Sequence, residues 1–320
     1  MAEGSGMTTQ QMVQLNMSMF GIFSGGVCTA FSAWGGQTVD GHTIAGRNYD
    51  APGTSFPDFK GTTTVVVFNP VSEPGAVHRD NSVAIVAPVG MLFGLTGMNS
   101  KGLYFEYNNA MNSIPVDMTK LPDVADGLTQ NFWAALDLDS LSAWTERYTK
   151  SKSLSASLTG VADEKQAQHY ERSPYQNSRM VQSASGGDYK YANMRGMDIY
   201  TNHFFLTDWE NQVFPPFGKC PPTCPATYDA PTQTFQRLIN LQNQAAAAAG
   251  RIDVGLMKST MTTPIANGGS FVPLNTSSNP GWTSYTTVTD VRSKVMYIWS
   301  QLESPTQQWV TVDLNRFFKQ

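Results

Sequence analysis

Apolar and polar positions succeed each other along this chain in blocks, not in one rhythm. Met12, Val13, Leu15, Met17, Met19, Phe20, Ile22 and Phe23 fall at loosely helical spacing, and Gly25-Gly26 would stop a helix there. Strand signals then begin abruptly. The run 27–34 is short and apolar, Gly35-Gly36 and Asp40-Gly41 are turn signals, and 43–49 reads as a second strand. Further strands are expected over 62–68, 82–87, 93–98 and 103–107, the last two joined by the turn Asn99-Ser100-Lys101-Gly102. Apolar spacing turns helical over 128–136 and 141–148, and strands resume over 166–169, 179–183 and 198–205. A Pro-rich loop covers 215–231. A helix then starts at Pro231, with Phe235, Leu238, Ile239 and Leu241 on one face, and ends at Gly250. A second helix is expected over 252–261, followed by strands over 284–289, 294–300 and 308–314. Strands, helices, strands, helices, strands is the order of a layered α+β fold, not of alternating βαβ units.

The bulk properties narrow the function classes. With 320 residues the chain holds one large core or two modest ones, and its 41% hydrophobic content is that of a globular protein. The net charge is −4 and the 21 Lys and Arg residues are scattered, so neither nucleic acid nor an anionic membrane surface is expected as a partner. No apolar stretch reaches the ~20 residues of a bilayer span. The first six residues are small and acidic, which is not the start of a secretory signal as it stands. Of the three cysteines, Cys220 and Cys224 flank Pro221-Pro222-Thr223. They are read as a short disulfide, which places the protein in an oxidising, exported setting; two reduced thiols in a cytosolic loop are the alternative. His42, His78, His169 and His203 are too scattered to complete a zinc site, so no metal or cofactor is expected.

Cys28 is the odd thiol, and its neighbours in the chain carry the strongest chemical signal. Cys28-Thr29 heads the first strand, and Gly46-Arg47-Asn48-Tyr49-Asp50 closes the second. A hairpin would bring sulfur, guanidinium and carboxylate to one spot. A thiol attacks a carbonyl only as the thiolate, which needs a base, and no histidine lies in a persuasive motif. An N-terminal cysteine supplies its own base, because an α-amine titrates at roughly 7.7–8.0. That amine exists only if the Val27–Cys28 bond is cut, which makes residues 1–27 a candidate propeptide and 28–320 the catalytic domain. Arg47 is expected to lower the thiol's pKa, and Asp50 to accept from the amine or the thiol. The plainer alternative is an ordinary Arg47–Asp50 ion pair beside a buried apolar cysteine.

These residues resemble the choloylglycine hydrolase and isopenicillin-N acyltransferase group of N-terminal-nucleophile (Ntn) hydrolases, which includes bile-salt hydrolases, penicillin V acylases and the acid ceramidase group. Three later segments are similar too: Asn99-Ser100-Lys101-Gly102-Leu103 with Tyr107-Asn108-Asn109, then Thr201-Asn202-His203-Phe204, then the strand pair from Thr286 to Leu314. The resemblance implies a four-layer αββα sandwich of two mainly antiparallel sheets. It implies self-cleavage before Cys28 and hydrolysis of a non-peptide acyl amide by a cysteine nucleophile flanked by Arg47 and Asp50. Asn109 or Asn108, with Asn202, would form the oxyanion hole. Arg237, in Thr234-Phe235-Gln236-Arg237, matches the family's late arginine, or is the second of a paired motif whose first member is Thr234 here.

The expected partner is a small acyl amide with an apolar acyl group. Phe56, Met91, Phe93, Asn108 and Phe204 are the candidate substrate-binding residues, although any one aromatic or methionine is more often core. An acyltransferase of the same group, and a non-catalytic binding protein on the same fold, are the other function classes carried forward. A homo-oligomer is left open.

Overall fold

The computed structural model describes residues 27–52, 62–71, 79–89, 95–110, 129–181, 195–206, 209–212, 233–274 and 281–319, with 6, 8, 10, 11, 14, 113 and 114 as isolated positions. The expected propeptide falls almost wholly outside these residues. So do Phe56, Met91, Phe93, Cys220 and Cys224.

Thirteen strands among the described residues form two sheets, and every neighbouring pair in them is antiparallel. Sheet one contains β1 (Val27–Ala33), β2 (Ile44–Pro52), β10 (Met197–Tyr200), β11 (Gly281–Asp290), β12 (Val295–Ser300) and β13 (Val310–Asp313), in the order β10-β1-β2-β11-β12-β13. Sheet two contains β3 (Thr63–Phe68), β4 (Val83–Pro88), β5 (Thr96–Asn99), β6 (Tyr104–Asn109), β7 (Ser157–Ala162), β8 (Ala167–Arg172) and β9 (Arg179–Val181), laid side by side in chain order. The expected β1–β2 hairpin forms, with Cys28 opposite Tyr49 and Ala30 opposite Arg47.

Helices cover the outer faces. α1 (Gln130–Asp137) and α2 (Leu141–Thr149) lie on sheet two, where Trp144 stacks on Phe105 with ring centroids 5.9 Å apart. α3 (Thr234–Ala248) and α4 (Val254–Thr262) lie on sheet one. A Cβ at Gly46 would come within 2.7 Å of the Met261 side chain, so glycine there sets how closely α4 approaches β2. The layers are therefore helix, sheet, sheet, helix, which is the expected αββα sandwich.

Two strand expectations need correction. Residues 157–162 form β7 in the middle of sheet two, a strand absent from the expected set, which resumes only at 166. The expected strand 198–205 ends at Tyr200. Beyond it, side chains replace a strand partner: Asn108 donates to the Thr201 carbonyl at 3.0 Å, and the Asn202 amide donates to Thr234 Oγ1 at 3.0 Å. The late helix begins at Thr234, directly after Gln233 turns the chain through a left-handed φ of 49°.

Candidate active site

Strand alternation sorts the residues around Cys28 onto two faces. Cys28, Ala30, Arg47 and Tyr49 point into the space between the sheets. Thr29, Asn48 and Asp50 point toward the helices, where Asn48 donates to the Met261 carbonyl at 2.8 Å. Arg47 and Asp50 are three apart on one strand. Their side chains lie on opposite faces, yet both residues act on the sulfur, Asp50 through a backbone hydrogen bond and its charge, so the expected convergence is met while the plainer alternative of an ion pair between them is not seen among the described residues.

Arg47 reaches the sulfur from the inter-sheet side, Nη2 to Cys28 Sγ at 3.3 Å. Its other donors are held in place: Nη1 donates to Thr96 Oγ1 at 2.6 Å and to the Tyr285 hydroxyl at 3.2 Å, and Nη2 donates to the Tyr107 carbonyl at 2.5 Å. Burial pulls its pKa down, but interaction with Cys28, Tyr285 and Glu106 outweighs it and the net shift is upward, so the guanidinium stays charged. Cys28 is 4% exposed. Its burial pushes the thiol up, and Arg47 opposes this without overcoming it. Arg47 does lower the thiol pKa as expected, but desolvation is the larger effect and the net shift is upward.

Arg237 and Asn202 close around the backbone of Cys28. The Cys28 amide donates to Asn202 Oδ1 at 2.8 Å. Arg237 donates through Nη1 to the Cys28 carbonyl and to Thr29 Oγ1, both at 2.6 Å, and through Nη2 to Asn202 Oδ1 at 2.8 Å. Asn202 Nδ2 donates to the Asn109 carbonyl at 2.6 Å. Two donors converge on Oδ1 and one acceptor faces Nδ2, so the network fixes which way this amide points. Asn109 lies three residues beyond Glu106, which faces the first residue of β5, Thr96.

Asp50 sits on the helix side with Arg237, Oδ2 to Nη1 at 3.8 Å, and its Oδ1 accepts from Thr283 Oγ1 at 2.6 Å. Burial pushes its carboxyl up to about 6, with Arg237 and Thr283 opposing. Val27 lies opposite Asp50 across the hairpin and is half-buried, so the Val27–Cys28 peptide bond is beside this cluster. His203 is no base for the thiol. It is buried against Thr234 and Phe235, and burial, with Arg237 and His169, pushes it down to about 3.

The structure brings Cys28, Arg47, Asp50, Asn109, Asn202 and Arg237 together, with the Asp50 carboxyl on the helix side of the sheet. Two expected substrate contacts sit elsewhere. Asn108 is buried and committed to Thr201, and Phe204 is wholly buried in the core, its ring 4.9 Å from Trp209. The roles of Thr96, Tyr107, Thr283 and Tyr285 leave no signal in the sequence, because each acts through a hydroxyl or carbonyl that only the packing reveals. Thr234, in sequence no more than a replaced arginine, anchors Asn202, Thr201 and His203. Among the described residues, no three His, Cys, Asp or Glu side chains gather as metal ligands do, and no helix is long and apolar enough to cross a membrane.

No protein-family model matches the chain, and no curated protein matches it by sequence. Solved structures do match it by shape. A variant of the conjugated bile acid hydrolase of Clostridium perfringens aligns over 90% of this chain and 93% of its own, with TM-score 0.58 and 14% identity. The penicillin V acylase of Agrobacterium tumefaciens aligns over 90% and 92%, with TM-score 0.53 and 14% identity. The Caenorhabditis elegans ortholog of N-acylethanolamine-hydrolyzing acid amidase aligns over 85% and 99%, with TM-score 0.52 and 15% identity. With its two facing antiparallel sheets between helix layers, this chain has the Ntn hydrolase fold of those enzymes.

Proposed function

We propose that this chain is the precursor of an N-terminal-cysteine amidohydrolase of the acylase type. One observation carries the reading: Arg47 contacts the Cys28 sulfur while Asn202 and Arg237 hold the amide and carbonyl of the same residue. Every buried backbone amide needs a partner. Here the partners are side chains of Asn202 and Arg237, which could hold a free α-amine in the same place while Arg47 holds the sulfur.

In self-cleavage, the Cys28 sulfur attacks the Val27 carbonyl carbon and the C–N bond to Cys28 breaks. The nitrogen takes up a proton and the acyl chain passes to sulfur as a thioester. Water then releases a carboxylate at Val27 and the free thiol at Cys28. The new α-amine keeps its place against Asn202 Oδ1 and, near neutral pH, accepts the thiol proton. The thiolate attacks the substrate's acyl carbon. Asn202 Nδ2 turns from the Asn109 carbonyl to the developing oxyanion, the amine leaves with the proton, and water hydrolyses the acyl-enzyme. Arg47 holds the thiolate, and Arg237 keeps Asn202 and the Cys28 backbone in register.

The substrate is a non-peptide acyl amide. The named activities of the similar folds suggest the panel to test: a conjugated bile acid, penicillin V and an N-acylethanolamine, with an acyl homoserine lactone added. The expected result is release of free acid from at least one, with Cys28→Ala inactive and Cys28→Ser losing most turnover. Acyl transfer to an added amine in place of water would make it an acyltransferase. Equal turnover by Cys28→Ala and the parent would overturn the reading.

A further inference from the structure

Across sheet one, Thr287, Arg47, Ala30 and Tyr200 stand side by side on four neighbouring strands. Across sheet two, Thr96, Glu106, Gly160 and His169 do the same. Both rows face the inter-sheet space and meet there. Arg47 takes Thr96. Tyr200 donates its hydroxyl to Glu106 Oε1 at 2.7 Å, Tyr104 donates to Oε2 at 2.9 Å, and the Tyr200 ring packs on His169 with centroids 4.5 Å apart. Gly160 makes the Tyr200 contact possible: a Cβ there would lie 1.9 Å from the Tyr200 hydroxyl. Burial, with Glu106 adding to it, pushes the Tyr200 phenol well above its ordinary pKa, so it remains a donor.

Tyr200 is the last residue of β10, and one residue separates it from Asn202. The segment is then held at Thr201 by Asn108, also from β6. We propose that Tyr200 is a positioning residue: its hydroxyl, engaged by Glu106 in the slot that Gly160 leaves open, fixes where Asn202 presents its carboxamide to Cys28. The role in turnover rests on the function proposed above; the role in seating Asn202 does not.

Two readouts keep these apart. In the uncut Cys28→Ala chain, the residue-28 amide still has Asn202 Oδ1 as acceptor, and its hydrogen exchange reports the seat of Asn202 without any catalysis. Adding Tyr200→Phe, which removes one oxygen, should speed that exchange about tenfold while amides of β3 and β4 stay protected. In the cleaved enzyme, Tyr200→Phe should lower kcat about tenfold with KM unchanged. Glu106→Gln, which still offers an oxygen to Tyr200, should stay within about threefold of the parent, whereas Glu106→Ala should match Tyr200→Phe. The Tyr200→Phe/Glu106→Ala pair should be no worse than either alone. Gly160→Ala should reproduce the exchange effect, but Tyr200→Phe decides the matter because it adds no bulk. Parent-like exchange at residue 28 in Tyr200→Phe overturns the proposal, as do kcat losses that multiply in the pair. A parent protein that cleaves no amide sinks the function alone, and the exchange result still stands or falls on its own.

Discussion

The β1–β2 hairpin of sheet one and strand β6 of sheet two contribute to the same site in different ways. The hairpin supplies the groups that would touch reacting atoms: the Cys28 sulfur and backbone, and the Arg47 guanidinium. From β6, four consecutive residues each hold one piece of that apparatus. Glu106 holds Tyr200, the Tyr107 carbonyl holds Arg47, Asn108 holds Thr201 and the Asn109 carbonyl holds Asn202. Even residues reach the site with side chains, and odd residues with carbonyls. Chemistry placed on one sheet is thus registered by the other, and any slip between sheets would disturb all four contacts together.

The comparison can be broken most severely on the side of sheet one. Arg237→Met removes the cation beside Asp50 and three hydrogen bonds, leaving a buried carboxyl without its counter-charge, and should cost about 3–5 kcal/mol in urea unfolding. Asn202→Ala removes a proposed oxyanion donor and should lower kcat about 10²–10³-fold, some 3–4 kcal/mol, with the fold retained. If its loss is no larger than that of Tyr200→Phe, the division between acting and holding groups is wrong. Tyr285→Phe removes one of two oxygens that accept from Arg47 Nη1 and should cost about 1–2 kcal/mol of stability, read by denaturant midpoint.

The smallest effect is on pH. Burial pushes Asp50 up to about 6 and both Glu106 and Glu171 up to about 7, against an unfolded value of about 4. The folded chain therefore binds protons that the unfolded chain releases. The stability from this is fully present below about pH 4 and is lost as pH rises through 6 to 7. Thermal melts should show a lower Tm at pH 8 than at pH 5. Glu171, which accepts the Leu206 amide at 3.1 Å and the Trp209 indole at 2.7 Å, should account for part of it, so Glu171→Gln should flatten the slope.

How much of this the sequence displays depends on the range of the interaction. The β1–β2 hairpin is legible because apolar runs meet between Gly35-Gly36 and Asp40-Gly41, which are local signals. The opposite facing of Arg47 and Asp50 is also legible in principle, since an odd spacing on a strand separates side chains. The end of β10 at Tyr200 is not, because Asn108 and Thr234, which take over the backbone there, lie 93 and 32 residues from the groups they hold. The role of Gly160 is not legible either. In sequence a glycine inside a strand weakens it, whereas here its missing Cβ admits the Tyr200 hydroxyl from the other sheet.

The central claim is that Cys28 becomes a chain terminus, and intact-mass spectrometry of the freshly purified protein tests it most directly. The account predicts a species running from Cys28 to Gln320 that carries the amide-hydrolysing activity, and an uncut chain when Cys28 is alanine. A parent protein that hydrolyses an acyl amide while residues 27 and 28 remain joined would contradict it.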